Sequence, residues 1–201
     1  IYDNSQSSAY YFNDNGDIVL RFEGNTNSGW YGSSGSISPQ NAWINNSAHH
    51  SGAISCNVEA NTLQFLNMDI DFRQSDIITI TDYSWFRVLV NDTIQLSDIN
   101  GVSNFNPNLP QGDPYQVRTF ILDDFCGSDF KLTLQASCKY DSSYSYQSVD
   151  YPEGDAVFIR SISIYEPPEI DILVNSIIGI PEISCDLSNN QSIGVNFTNN
   201  G

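Results

Sequence analysis

The side chains best suited to proton transfer at neutral pH are His49 and His50, which are the only two histidines in the sequence. Histidine has the ordinary pKa that lies nearest to neutrality. Ser47 and Ser51 are close to them in sequence, but sequence adjacency does not by itself form a nucleophile–base–acid triad. The surrounding segment is rich in Asn, Ser and Gly, which favours a solvated loop. We therefore predict that the protein is not an enzyme.

Two carboxylates, Asp69 and Asp71, lie two residues apart and therefore on one face of a predicted strand. Asn67 extends this polar stripe along the same face. Glycoside hydrolysis uses two carboxyl groups that flank a cleft, and nothing in this spacing predicts a cleft. We interpret the stripe as a solvated face, and a glycan-active enzyme is the least favoured functional class.

Oxygen-rich segments are better candidates for a metal site, because a hard cation such as Ca²⁺ prefers carboxylate and carbonyl ligands. One such segment lies near the N-terminus, and another precedes the last long strand. Neither has the spacing of an EF-hand loop. We predict calcium as the bound cation, with these candidate ligands: Asp14, Asp17, Asp150, Glu153 and Asp155.

Aromatic residues in polar loops give the strongest indication of a binding surface. A sugar ring can stack on an aromatic face, and a tyrosine hydroxyl can add a hydrogen bond. Alternatively, the tryptophans close the ends of the hydrophobic core. The predicted ligand-binding residues are Trp30, Tyr31, Trp43, Tyr144, Tyr146 and Tyr151.

The elements that must position these residues are organised around the stretch 129–140. Its apolar and polar side chains alternate, which predicts a strand with one buried and one solvated face. The apolar set is Phe130, Leu132, Leu134, Ala136 and Cys138.

Strands are also predicted over most of the remaining chain after a turn-rich arm at 1–17. A change of phase in the apolar pattern predicts a β-bulge within 62–72 and another at Arg160-Ser161. Both faces of 84–90 are largely apolar, which favours a central strand. The other predicted strands are 18–23, a short strand that ends at Cys56, 93–96, 115–122 and 156–165.

These strands and their turns predict an all-β fold, because no window combines a helical period with helix caps. Strands of this length in two facing sheets favour a jelly-roll β-sandwich of two antiparallel sheets, with a short C-terminal β segment.

The four cysteines include no Cys-x-x-Cys pair, which argues against a zinc site. Cys126 and Cys138 flank one predicted strand and would lie about 30 Å or more apart, which is too far for a disulfide. A Cys56–Cys138 disulfide is one hypothesis, because Cys138 faces inward and Cys56 ends a strand. Buried free thiols are the favoured alternative.

A Pro-Pro step at 167–168 divides the chain. We predict a jelly-roll domain at 1–166, then a linker and opening strands at 167–201. Strands are expected at 170–178, 180–186 and 192–199. About 30 residues cannot bury a core alone, so this segment is either a truncated neighbouring module or a tail that packs on the first domain.

The charge balance limits the partners. The formal net charge is −17, from 24 acidic and 7 basic residues. Such a surface repels phosphate backbones and anionic lipids, so neither nucleic acid nor a membrane surface is predicted as a partner. No apolar run approaches the length of a membrane span. The N-terminus lacks the pattern of a signal peptide, so we expect a mature or excised segment of a secreted or cell-surface protein.

Four segments, 83–91, 112–114, 130–140 and 154–159, resemble the MAM-like, choice-of-anchor J or cleaved-adhesin jelly rolls of secreted multidomain Bacteroidetes proteins. The resemblance spans about residues 18–165, and residues 168–201 resemble the start of an immunoglobulin-like module. It implies a two-sheet jelly roll, export by the type IX route, and an extracellular role in adhesion or substrate binding.

Members of this family often bind calcium between the first and last strands, through the Glu of a Phe-Glu pair and an Asp of the last strand. Phe22-Glu23 matches the first half, but Arg160-Ser161 stands where Asp-Asn is usual. An arginine can hold a carboxylate through two parallel hydrogen bonds. We therefore predict a structural ion pair between Glu23 and Arg160 in place of calcium at that position.

These expectations combine into a non-catalytic adhesion or binding module of a secreted multidomain bacterial surface protein. Its predicted partners are a glycan or a protein at the cell surface and the neighbouring domains of the same polypeptide. The alternative is a structural accessory or spacer domain of a secreted adhesin or protease, with no ligand of its own.

Overall fold

The computed structural model divides the chain into two compact units, Ile1–Tyr165 and Glu166–Gly201. The boundary lies one residue before the predicted one. The residues that the structure describes are 8–24, 50–75, 84–107, 109, 112–138, 140, 142, 145–146, 149–150, 152–168, 172–178 and 194–199.

The described residues are almost entirely β-structure, and no α-helix occurs among them. A short 3-10 turn lies at Asp123–Phe125. The strands are β1 (Ser8–Asp14), β2 (Asp17–Glu23), β3 (His50–Val58), β4 (Asn67–Ser75), β5 (Trp85–Val90), β6 (Ile94–Gln95), β7 (Gln116–Ile121), β8 (Phe130–Cys138), β9 (Ser145–Tyr146), β10 (Val149–Asp150), β11 (Ala156–Tyr165), β12 (Ile172–Ile178) and β13 (Gly194–Asn199).

The first unit contains two antiparallel sheets, with strand orders β1-β2-β11-β4-β7 and β3-β8-β5-β6. Among the described residues of this unit, eight strands remain when β1 and the small β9–β10 hairpin are set aside. The first, eighth, third and sixth of these form one sheet, and the second, seventh, fourth and fifth form the other. This is the strand order of a jelly roll. The predicted all-β jelly-roll sandwich is therefore confirmed.

The hydrophobic core lies between the two sheets. Phe72 on β4 and Phe86 on β5 face each other with ring centroids 4.8 Å apart. Phe105 packs edge-on against Phe72, at 5.4 Å between centroids. Ile70 and Val88 beside them are completely buried. The alternation in β4 and β5 thus points one set of side chains between the two sheets and the other set to their outer faces.

Of the two predicted bulges, the one at Arg160 is confirmed. The pairing of β11 with β4 passes from Ile159↔Phe72 to Ser161↔Asp71, so Arg160 is the extra residue. The bulge predicted within 62–72 is wrong. Residues 62–66 precede β4, and β4 pairs with β7 in continuous register from Asn67 to Phe72. The change of phase there marks the start of the strand.

The predicted arm at 1–17 is wrong over residues 8–14, which form β1. This strand pairs with β2 along its whole length. Asn15 and Gly16 connect the two strands with φ values of 54° and 106°. An Asn-Gly pair with positive φ at both positions is the preferred two-residue hairpin turn, and it was the available sequence signal for β1.

The predicted solvated face of 129–140 is also wrong. Thr133, Gln135 and Ser137 on β8 are buried, like the apolar residues between them. Thr133 Oγ1 donates to Asp92 Oδ1 at 2.9 Å, and Arg87 Nε donates to Gln135 Oε1 at 2.6 Å. Hydrogen bonds to neighbouring elements allow this polar face to be buried, which alternation cannot reveal.

The Cys56–Cys138 disulfide hypothesis is wrong, because Cys56, Cys126 and Cys138 are free thiols. On β3, His50 pairs with Cys138, whereas Cys56 pairs with Leu132. That register places the two cysteines six residues apart along the strands, or about 20 Å. Cys138 is buried and Cys56 is exposed, so the alternative of buried thiols holds for Cys138 only. Cys185 lies outside the described residues.

In the second unit, β12 and β13 form an antiparallel pair with a bulge between Val174 and Ser176. They correspond to the strands predicted at 170–178 and 192–199, and the strand predicted at 180–186 lies outside the described residues. The likeness of this unit to an immunoglobulin-like module stays a prediction. Across the described chain, no helix has the length and apolarity that a membrane span requires.

Candidate binding site on the outer face of the five-stranded sheet

A row of alternating arginine and aromatic side chains crosses the outer face of the five-stranded sheet. Tyr10 pairs with Arg21, Arg21 with Phe158, and Phe158 with Arg73 in the strand register. Tyr115, the residue immediately before β7, completes the row beside Arg73. Each of the five strands, or the residue that precedes it, therefore contributes one member of this arginine–aromatic row.

Phe158 lies between two guanidinium groups. The Cζ atom of Arg73 lies 3.8 Å from the Phe158 ring centroid, and that of Arg21 lies 5.0 Å from it. Phe158 is 0% exposed and Arg21 is 1% exposed. A desolvated cation over an aromatic face gains about 2 kcal/mol or more. These contacts therefore stabilise the otherwise costly burial of two positive charges.

Two carboxylates neutralise Arg73. Its Nε and Nη2 atoms donate to the two oxygens of Asp14 at 2.8 and 3.1 Å. Its Nη1 and Nη2 atoms donate to the two oxygens of Glu153 at 2.9 and 2.8 Å. Tyr115 also donates its hydroxyl proton to Asp14 Oδ2 at 2.6 Å. Arg73 thus holds a residue of the β1–β2 hairpin and a residue of the segment before β11.

The hydrogen bonds from Arg73 hold the pKa of Asp14 below its ordinary value, against the opposing effect of burial, and the Tyr115 hydroxyl adds to the lowering. Burial, and then the hydrogen bond to Asp14, raises the pKa of Tyr115. At neutral pH, Asp14 is therefore a carboxylate and Tyr115 is a neutral phenol.

Arg21 has separate partners at the other end of the row. Its Nη2 atom lies 2.7 Å from Glu23 Oε2 and donates to the Glu153 carbonyl oxygen at 2.6 Å. The Tyr10 hydroxyl donates to Glu23 Oε1 at 2.9 Å. Glu23 is thus held within the sheet by its own strand and by β1.

An open depression of about 650 Å³ lies beside the Arg73 end of the row. Asp17 is 56% exposed there, Arg160 is 43% exposed and Glu153 is 39% exposed. These three side chains present charged hydrogen-bonding groups to solvent. The lining residues are Asp14, Asn15, Asp17, Arg73, Gly112, Asp113, Pro114, Tyr115, Glu153 and Arg160.

The predicted Glu23–Arg160 ion pair is wrong. The Nε and Nη2 atoms of Arg160 both lie 2.7 Å from Asp71 Oδ2, and its Nη1 atom lies 3.5 Å from Asp17 Oδ2. In the strand register, Glu23 pairs with Ala156, four residues before Arg160 on β11. The register and the bulge therefore direct the guanidinium to a different pair of carboxylates.

The structure brings together three of the five predicted calcium ligands, but it places them around arginines. Asp14 and Glu153 bind Arg73, and Asp17 lies beside Arg160. Asp155 is buried and accepts a hydrogen bond from the Tyr140 backbone nitrogen at 3.3 Å. The fifth is the exposed Asp150, in β10. The described part of the chain has no group of three or more Asp, Glu, His or Cys residues placed to hold a metal ion. Calcium binding stays a prediction.

Most of the predicted aromatic binding residues lie outside the described residues. This applies to Trp30, Tyr31, Trp43, Tyr144 and Tyr151. The sixth, Tyr146, belongs to β9, and only its backbone is described. The aromatic binding surface therefore stays a prediction.

The sequence reasoning missed the residues that organise the depression, above all Arg73 and Tyr115. The available signal was the polar stripe Asn67, Asp69 and Asp71, because one further step of two residues reaches Arg73. The stripe is also less solvated than predicted, since Asp71 is buried against Arg160. The stripe indicated the correct face of β4, but its interpretation as a solvated surface led away from the ion pairs of Arg73 and Arg160.

The lowered pKa of Asp14 predicts that acid destabilises the first unit through this site. A carboxylate whose pKa is lower in the folded than in the unfolded chain stabilises the fold above the unfolded pKa, which is about 3.9 for Asp. That contribution is lost as the pH falls through the lower folded value. We expect wild-type protein to be more stable than Asp14→Asn at neutral pH, with a difference that shrinks below about pH 4. Urea unfolding at a series of pH values measures it.

Asp124→Asn, at an exposed position, controls for the loss of one negative charge and should not reproduce this profile. A stability difference between wild type and Asp14→Asn that does not vary with pH would contradict the role given to the Asp14 charge.

No protein-family model matches the sequence, and no curated protein matches it either. The resemblance to MAM-like jelly rolls therefore rests on the four sequence segments themselves.

Proposed function

We propose that this protein is a non-catalytic binding module of a secreted or cell-surface protein and that it recognises a glycan at the depression. The observation that carries the proposal is the fixed placement of Asp17, Glu153 and Arg160 around Tyr115. Arg73 holds Glu153 and Asp71 holds Arg160 through ion pairs, and Asp17 lies 3.5 Å from Arg160. The charged ends of all three side chains reach solvent.

The chemistry of the depression suits a ligand rich in hydroxyl groups. Carboxylate oxygens accept hydrogen bonds from sugar hydroxyls, and a guanidinium donates to them. Ligand sites combine a small number of fixed polar groups with apolar or aromatic walls. Because Arg160 already contacts Asp17, Asp71 and the Tyr115 ring, at 4.4 Å from the ring centroid, little side-chain freedom is lost on binding.

The protonation states of the site favour binding over proton transfer. A general acid or base works best when its pKa lies near the working pH. The pKa of Asp14 lies below its ordinary acidic value, and that of Tyr115 lies above its ordinary basic value. Both shifts move these groups further from neutrality, which supports a non-catalytic role.

A spacer domain is the second candidate. The bidentate pairing of Arg73 with Asp14 and Glu153 would stabilise a module that has no ligand just as well. A protein ligand at the same surface is a third candidate, and the binding experiment separates it from a glycan ligand.

The proposal is tested by probing a glycan array with the labelled 201-residue chain and then measuring affinity for the bound saccharides by calorimetry. Asp17→Ala removes an exposed acceptor and is expected to weaken binding by about tenfold to a hundredfold, the range for a hydrogen bond to a charged group. Asp124→Ala is the matched control, because it removes one carboxylate at an exposed position outside the depression.

Binding that Asp17→Ala leaves unchanged would exclude the depression as the site. If wild-type protein binds no glycan, the glycan proposal fails, and a protein ligand or the spacer role replaces it.

A further inference from the structure

Beyond the depression, the outer face of β11, β4 and β7 forms three cross-strand rows, here called the platform. Each row has one residue from each strand, in the register of the two strand pairs. The rows are Ser161–Asp71–Val117, Ser163–Asp69–Thr119 and Tyr165–Asn67–Ile121.

Solvent reaches the platform along both sides. Ser161 and Ser163 are exposed on β11, and Val117 and Ile121 are each 57% exposed on β7. Along β4, the platform spans four residues from Asp71 to Asn67, or about 13 Å, and Arg73 at the depression lies two residues further on. The platform is thus much longer than one sugar ring, and it is continuous with the depression.

The polar groups in the middle of the platform are fixed by hydrogen bonds. Thr119 Oγ1 donates to Asp69 Oδ1 at 2.6 Å, and the Tyr165 hydroxyl donates to Asp69 Oδ2 at 3.1 Å. Burial and the contact with Asp69 raise the pKa of Tyr165, so this proton is retained at neutral pH. A carboxylate has about four acceptor positions, and Asp69 can therefore accept further hydrogen bonds from a ligand.

The side chains of the platform favour a neutral saccharide over other occupants. Of its two carboxylates, Asp71 is paired with Arg160, whereas Asp69 is bonded to the hydroxyl groups of Thr119 and Tyr165. The chain also carries a net charge of −17, and this excess of negative charge disfavours an anionic ligand. Serine, threonine and asparagine exchange hydrogen bonds with hydroxyl groups, whereas the dominant contacts of protein interfaces are buried Trp, Tyr and Arg anchors. Val117 and Ile121 offer apolar contact to the ring carbons along one edge.

We infer that the platform extends the site in the depression and binds a neutral oligosaccharide, with successive sugar units along β4 from Tyr115 towards Tyr165. This inference rests on the proposed glycan-binding function. It adds that the ligand is a chain and that affinity depends on its length.

The test uses a series of neutral oligosaccharides, from disaccharide to hexasaccharide, of the type that the array identifies. Ser163→Trp places a bulky side chain at the centre of the platform from an exposed position. We expect it to weaken binding of the longest saccharide by about tenfold or more and to leave disaccharide binding unchanged. Ser55→Trp, at an exposed position on β3 of the other sheet, is the matched control.

Thr119→Val is a second variant without added bulk. It removes the hydroxyl that orients Asp69 and should weaken binding of the long saccharides by about twofold to tenfold. If wild-type affinity does not increase with length, or if Ser163→Trp and Thr119→Val bind every length as wild type does, the platform is not part of the site. The glycan-binding function would still stand if Asp17→Ala weakened binding. A wild-type protein that binds no saccharide overturns both proposals.

Discussion

Replacement of Arg73 by alanine is expected to destabilise the first unit by about 3–5 kcal/mol, the range for removal of one partner from a buried ion pair. Arg73 and Asp14 are both almost fully buried. Without the guanidinium, Asp14 would keep a charge away from water, and its remaining side-chain donors would be the neutral Tyr115 hydroxyl and Asn15 amide. Glu153 is partly exposed and would be solvated at less cost. Urea unfolding at neutral pH measures the change.

The control for Arg73→Ala is Lys131→Ala. Lys131 and Asp92 form an ion pair of similar length, 2.8 Å, in which both side chains are more than a third exposed. Exposed pairs contribute about 0–1 kcal/mol. Arg73→Lys should fall between these two variants, since it keeps the charge but cannot form the bidentate pair. Equal losses for Arg73→Ala and Lys131→Ala would contradict the structural role of the buried pair.

Replacement of Phe158 by alanine is expected to cost about 3–5 kcal/mol, the usual loss for a fully buried phenylalanine. The ring is 0% exposed and separates the guanidinium groups of Arg21 and Arg73. Its removal would create a cavity and would also leave two positive charges without the aromatic surface between them. Thermal and urea unfolding would report the loss.

Phe65→Ala is the matched control for Phe158→Ala, because Phe65 is 58% exposed and its loss should change stability by less than about 1 kcal/mol. Phe158→Leu separates the loss of packing from the loss of the cation–aromatic contacts, because leucine fills most of the volume but has no aromatic face. A Phe158→Leu protein as stable as wild type would show that packing alone, without the cation–aromatic contacts, supports this face.

The local pattern of the sequence is sufficient to predict the positions of most strands. The pattern of residues 156–165 predicts a strand with a bulge at Arg160, and β11 has these limits and this bulge. Alternation of side chains and turn residues is a property of neighbouring residues, so it can be read without knowledge of the fold. The same reasoning failed at β1, where a mostly polar strand obscured the pattern and the Asn15-Gly16 turn was the better signal.

The partners of the charged residues could not be predicted in this way. The predicted pairing of Glu23 with Arg160 depends on the strands at 18–23 and 156–165 lying side by side, and β2 and β11 are indeed neighbours. The register nevertheless pairs Glu23 with Ala156, and a guanidinium four residues further along meets Asp71 instead. The topology determines which strands are adjacent. Whether two side chains touch also depends on the register, and a shift of one residue changes the contact.

The all-β class, the positions of most strands and the bulge at Arg160 can be read from the sequence, because these features depend on spacing along a few residues. The candidate site depends on the three-dimensional fold. Arg73 binds Asp14 from 59 positions away and Glu153 from 80 positions away. Alternation indicates which side of a strand a charge lies on. The sheet order and register decide whether that charge is buried and which carboxylates neutralise it, because they bring together residues that share no local pattern.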